Sequence, residues 1–203
     1  QNILGNSLVP GQGFIEDSSF CVGSIADEKN DKLYYFIVNN EELIVNGDFN
    51  VDSTPWTLQT GWAHVGGKIE GNSVGQFSSI YQSNIPIISG KDYVVTYTIS
   101  DYTSGTYNIV IVDENGDYSR TATKSANGTH TEILTAGVFA GNYAPKAIKL
   151  QQFDTTPGNA VIDNISIKPN YSAIIEYDSK TNSITPVLVD LSLIHISEPT
   201  RLL

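Results

Sequence analysis

The sequence predicts an all-β protein in two antiparallel parts. An antiparallel β-sandwich spanning residues 43–168 is inserted into a four-stranded, propeller-blade-like meander formed by its flanks. Three observations carry this. No stretch keeps apolar residues at i, i+3, i+4 and i+7 over three turns, so helical patterning is missing. In its place stand short runs rich in Val, Ile, Thr, Tyr and Phe, separated by Gly, Asn, Asp and Ser. The flanking runs form two pairs, each closed by a polar turn, and a block with its own opening and closing strand lies between them.

The elements follow in order. Ser19–Ile25 and Lys32–Val38 read as strands joined by the turn Asp27-Glu28-Lys29-Asn30-Asp31. Inside the block, Trp56–Leu58, Trp62–Val65, Lys68–Glu70 and Gln76–Gln82 supply short strands, and Tyr93–Ile99 and Tyr107–Val112 longer ones. Asn115-Gly116 tolerates the positive φ of a tight hairpin, so Tyr118–Thr123 is the returning strand. Thr131–Ala136, Ala147–Phe153 and Ala160–Ile167 complete the block. That is roughly eight to ten strands with frequent turns, the pattern of a sandwich. Ala173–Tyr177 and Ser183–Val189, joined by Asp178-Ser179-Lys180-Thr181-Asn182, return the outer unit to four strands, the plan of one propeller blade. One blade cannot bury both faces, so further blades of the same chain or another subunit are expected to cover it. The domain boundaries read from the sequence are therefore 1–42 with 169–190 for the scaffold and 43–168 for the insert.

Composition narrows the function. Charged residues make up 16% of the chain, the net charge is −11, and no Lys/Arg run occurs. This argues against nucleic acid or anionic membranes as partners. No apolar run approaches the ~20 residues needed for membrane insertion. Methionine is absent and the chain opens on Gln1, which is expected of an internal fragment or processed product. Cys21 is the single cysteine, so no internal disulfide forms; it is expected to be a small buried apolar residue. The segment Leu191-Ser192-Leu193-Ile194-His195-Ile196-Ser197-Glu198-Pro199-Thr200-Arg201 is similar to the translation of a sequencing-library adapter. Residues 191–203 are expected to be an artefact with no domain role, following a metagenomic contig end near Asp190.

The block carries Asn46-Gly47-Asp48-Phe49 at its opening, then Trp56 and Gly61-Trp62, and closes on Ile162-Asp163-Asn164-Ile165-Ser166-Ile167. These motifs resemble CenC-type carbohydrate-binding modules, which are galactose-binding-like jelly rolls. The resemblance implies a jelly-roll β-sandwich, a glycan or polysaccharide ligand, and a buried Trp62. It also implies a structural calcium tying the first strand to the last, with Asp48 and Asp163 as ligands. Where many relatives have Glu after the Phe, this chain has Asn50, which removes one charged ligand. The flanks, "DEKNDKLYYFIVN" and "IIEYDSKTNSITPVLVD", resemble virion structural proteins of phages infecting Bacteroidetes, including crAss-like phages. That implies a virion or extracellular location, with other virion subunits as partners.

A sugar site needs flat aromatic faces and hydrogen-bonding side chains, because the apolar face of a pyranose stacks on a ring. Trp56, following Pro55, and the turn-flanking Tyr102, Tyr107 and Tyr118 are the aromatic candidates; Tyr81, Tyr97 and Tyr143 are further ones. Gln76, Gln151 and Gln152 can bond sugar hydroxyls, and side-chain alternation selects one of the last two; Gln151 is taken. The structural alternative is that these rings fill the core. His64 and His130 are isolated, and no HExxH, GxSxG or phosphate-loop pattern occurs, so catalysis is not expected. The function expected is non-catalytic adhesion to a host-surface glycan. The alternatives are an ancillary module of a secreted polysaccharide-degrading enzyme and an insert that only packs against a neighbouring subunit.

Overall fold

The computed structural model describes residues 19–144, 146–170 and 172–190. The adapter-like segment 191–203 lies outside the described residues. Fourteen strands form, all pairing antiparallel, and no helix occurs among the described residues. None is therefore present that could cross a membrane.

The chain divides into two compact units, one from residues before Glu42 and after Pro169, the other Glu42–Pro169. The first is a four-stranded sheet of β1 (Ser19–Asp27), β2 (Lys32–Asn39), β13 (Ser172–Asp178) and β14 (Ser183–Asp190), in spatial order β1-β2-β13-β14. Its buried cluster is small: Ile37, Ala173 and Ile175, flanked by Tyr35 and Ile184. Glu176 accepts from Lys32 Nζ at 2.7 Å and from the Tyr34 hydroxyl at 2.9 Å, across the β2–β13 pair. Cys21 departs from expectation. It sits exposed on edge strand β1, where a bulge after it breaks the alternation, and its Sγ donates to Gly23 O.

The second unit is the sandwich. One sheet runs β10 (Gly128–Thr135), β7 (Asp92–Ser104), β12 (Gly158–Pro169), β5 (Lys68–Val74), β4 (Trp62–Val65). The other runs β3 (Thr57–Leu58), β6 (Ser79–Ser83), β11 (Ala147–Gln152), β8 (Tyr107–Val112), β9 (Tyr118–Arg120). Alternation assigns the faces. On β7, Tyr93, Val95, Tyr97 and Ile99 turn inward, while Thr96 and Thr98 face out. Their hydroxyls pair across to Thr131 and Thr129 at 3.0 Å. From the second sheet Ile80, Ile109, Ile111, Ile148 and Leu150 meet them in one core. Each such fully buried aliphatic side chain contributes roughly 1.5–3 kcal/mol.

Asp113–Asp117 forms the plain hairpin expected from its Asn-Gly pair. Gly116 has φ 84°, and the Asp113 carboxylate accepts the N–H groups of Asn115 and Asp117. The module is closed where its ends meet: Leu43 N–H donates to Ile167 O, Ile165 N–H to Gly47 O, and the Glu42 carboxylate accepts Ile167 N–H at 2.9 Å.

Candidate functional site

The outward face of the sheet β3-β6-β11-β8-β9 is where polar and aromatic side chains converge. Register fixes its rows. Tyr81 on β6 lies opposite Lys149 on β11, which lies opposite Val110 on β8, which lies opposite Arg120 on β9. The next row is Ser79, Gln151, Asn108. The row on the other side is Ser83, Ala147, Val112, Tyr118. Val110, Val112 and Ala147, with Tyr118 packed on them, form a second apolar cluster on this face.

Chain beyond β10 completes the wall. Phe139 and Tyr118 exchange backbone hydrogen bonds at 2.9 Å, Gly141 N–H donates to Asp117 Oδ1, and Tyr143 N–H to Gly116 O. Gly141 is needed because a Cβ there would stand 3.0 Å from atoms of both Tyr118 and Tyr143. The rings form a continuous series. Tyr118 lies 5.1 Å from Tyr143, edge to face, and 5.4 Å from Phe139. The Arg120 guanidinium lies between Phe139 at 6.0 Å and Phe153 at 5.0 Å. Phe153 meets Phe77 edge-on at 5.8 Å, and Lys149 Nζ sits 4.6 Å over Tyr143. Phe77, Phe139 and Tyr143 are exposed. Burial holds the Lys149 pKa below its ordinary value.

Asn108 is the unusual member of this face. It is fully buried, it points to the side opposite the core residues Tyr107 and Ile109, and neither its amide nitrogen nor its oxygen has a hydrogen-bond partner among the described residues. Leaving such a group unmatched costs about 1–3 kcal/mol.

Of the residues expected from the sequence, the structure places Tyr118, Gln151, Tyr81 and Tyr143 on this face. Three others need correction. Trp56, 5% exposed, lies in the core, its Nε1–H shared between Val45 O and Asn46 O at 3.1 Å. Tyr107 is wholly buried, edge-on to Trp62, and its hydroxyl donates to Ser104 O; burial pushes its pKa up. Both follow from alternation: they fall in phase with inward residues, and a side chain on that side cannot meet a ligand. Tyr102 belongs to the opposite sheet and packs against the core edge, its hydroxyl donating to Gly105 O at 2.9 Å. Gln152 is buried on the core side, bonded to Asp154 and Thr156 O.

Sequence reasoning missed Asn108, Lys149, Arg120 and Phe139. Asn108 and Lys149 each interrupt a hydrophobic strand in the outward phase, which was a usable signal. The juxtaposition of Arg120 with Phe139 and Phe153 depends on pairing between distant segments and left none.

The ends of the module hold the two acids expected to ligate calcium. Asp48 is exposed and its Oδ2 accepts from Asn50 Nδ2 at 2.6 Å. Asp163 accepts Asn164 N–H and lies 3.7 Å from Lys68 Nζ. A cleft of about 340 Å³ is lined by Glu42, Asn46, Asp48, Asn164 and Ser166, among others; Asp163 is not in its lining. Among the described residues no group of three or more His, Cys, Asp or Glu side chains is placed to hold a metal. The donors suit a hard cation in kind, since carboxylates and an amide oxygen are its ligands, and the Lys68 ammonium opposes it.

No family profile and no curated protein matches the sequence. Solved structures do. The second N-terminal cellulose-binding domain of the Cellulomonas fimi β-1,4-glucanase C is 16% identical, with a TM-score of 0.46 over 63% of this chain and 94% of that one. A family 16 carbohydrate-binding module is 21% identical, with a TM-score of 0.42 over 62% and 98%. A CBM4 structure is 16% identical, with a TM-score of 0.44 over 60% and 99%.

Proposed function

We propose that the sandwich is a non-catalytic glycan-binding module whose ligand lies across the outward face of β6, β11, β8 and β9. The observation that carries this is the buried, unmatched amide of Asn108 beneath a face furnished with Tyr118, Tyr143, Phe139 and Gln151. Sugar hydroxyls supply both a donor and an acceptor to such an amide, and sugar rings stack on exposed aromatic faces. The amide is covered, so a ligand hydroxyl bonds it only once an overlying side chain of the face moves aside, and that bond then recovers the energy lost by burying Asn108 unmatched. A single stacked ring contributes on the order of 1 kcal/mol, so one site binds weakly, in the micromolar-to-millimolar range. Repetition on a particle surface would raise the effective affinity.

The setting belongs to the same proposal. The blade strands resemble phage virion proteins, so the module would be displayed on a virion and hold host-surface polysaccharide. Calcium also enters as a proposal, held by Asp48 and Asp163 and serving to tie the module's ends rather than to contact sugar. The test is retention of the whole chain on gels cast with a broad polysaccharide panel. Retention, with no release of reducing sugar, is the expected result. Tyr143→Ala should weaken retention without lowering the melting temperature. If the wild type runs unretained on every gel, the glycan reading fails and subunit packing takes its place.

A further inference from the structure

Resting on that reading, we infer that the glycan bound on this face is anionic, its carboxylate or sulfate groups held by Arg120 and Lys149. The two residues share a row across the sheet, one strand apart, with Val110 between them. Among the described residues neither forms an ion pair with a carboxylate. Both instead contact aromatic rings: Arg120 lies near two Phe rings and Lys149 over Tyr143.

Together they place two positive charges on one face of a chain of net charge −11. Lys149 is also partly desolvated, which disfavours its charge and lowers its pKa. A desolvated cation with no counter-ion is unfavourable until one arrives. Ring contacts at exposed sites contribute only part of what an anion would. They also leave the guanidinium edge and the ammonium protons available as donors. The guanidinium fork matches a carboxylate or sulfate in two parallel bonds, and the ammonium acts as a point charge. Gln151 occupies the adjacent row, beside the covered Asn108, where it can take a ring hydroxyl while the cations take the acidic substituent. The ligand class that fits all of this is a polysaccharide with a charged group on a repeating sugar, not a neutral glucan or xylan.

The acidity of the chain sharpens the test. Overall repulsion disfavours non-specific adsorption of a polyanion, so binding must be local. The whole chain is titrated with polygalacturonate, which carries carboxylates, with dextran sulfate, and with uncharged dextran and galactan, at low and high salt. One or both polyanions should bind at least about tenfold tighter than the neutral polymers, as loss of a charge-assisted hydrogen bond would predict. Which polyanion binds identifies the charged group. Affinity should fall with salt. Arg120→Gln and Lys149→Gln should each weaken polyanion binding about tenfold with unchanged melting temperature, and Lys149→Arg should retain it. Equal binding of neutral polymers, insensitive to salt and to both Gln variants, overturns this inference and leaves the glycan reading intact. Absence of binding to any polymer overturns both.

Discussion

At the scale of single residues, Asn108 decides most. An amide buried without partners is retained against a stability cost, and the neighbouring positions Tyr107, Ile109 and Val110 show that the strand accepts apolar side chains. Leu has the branching and heavy-atom count of Asn and no polar atoms to satisfy. Asn108→Leu should therefore raise stability, by about 1–2 kcal/mol, while reducing glycan retention. Thermal unfolding and gel retention of the same variant check it. A destabilised variant would show that the amide is satisfied within the native protein. Trp56 teaches the converse. Its position after Pro55 left exposure open in the sequence, yet its indole N–H finds two carbonyls and its ring packs 5.4 Å from Phe49. A buried Trp with a satisfied N–H is a core residue, whatever its neighbours in sequence.

Strands and turns were the most legible level. The runs at 62–65 and 107–112 appear with the bounds read from the sequence, because β-branched and aromatic residues fill them and turn residues close them. Boundaries moved where tertiary pairing extends a strand past its apolar run. β7 continues to Ser104 through a positive φ at Asp101, held by Asn127 Oδ1 accepting Tyr102 N–H. The face that each strand shows to a ligand was not legible, because that depends on which strands become neighbours. At the joint of the module's ends, Gly47 passes against Ile165 so closely that a Cβ would collide with its carbonyl oxygen. Gly47→Ala should destabilise the module by about 2 kcal/mol or more, read from denaturant unfolding, since backbone must shift to admit it. Calcium belongs to the same joint. If Asp48 and Asp163 hold it, millimolar calcium raises the melting temperature above that in chelator, and Asp163→Ala removes the difference. Coincident wild-type curves would leave Asp163 paired with Lys68 alone.

At the scale of the whole molecule, the two units bury very different amounts of apolar surface. The sandwich has a continuous core that includes Phe49, Tyr97, Tyr107 and many Ile side chains, while the blade's buried cluster is Ile37, Ala173 and Ile175, with Phe20, Val22, Ile25 and Val187 exposed. A fragment of Glu42–Pro169 should therefore unfold cooperatively on its own, and the flanks joined without it should not give a stable monomer. A sharp thermal transition of a monomeric flank-only protein would contradict this.

The central claim is that one face of the sandwich binds glycan. It is tested most directly by an amide NMR titration of the whole chain with oligosaccharides cut from the polysaccharide that retains it. Perturbed signals should concentrate on Asn108, Tyr118, Arg120, Tyr143, Lys149 and Gln151, with the Asn108 side-chain amide among the largest. Perturbations confined to the Thr-rich outward face of β7 and β10, or to neither sheet, would contradict it.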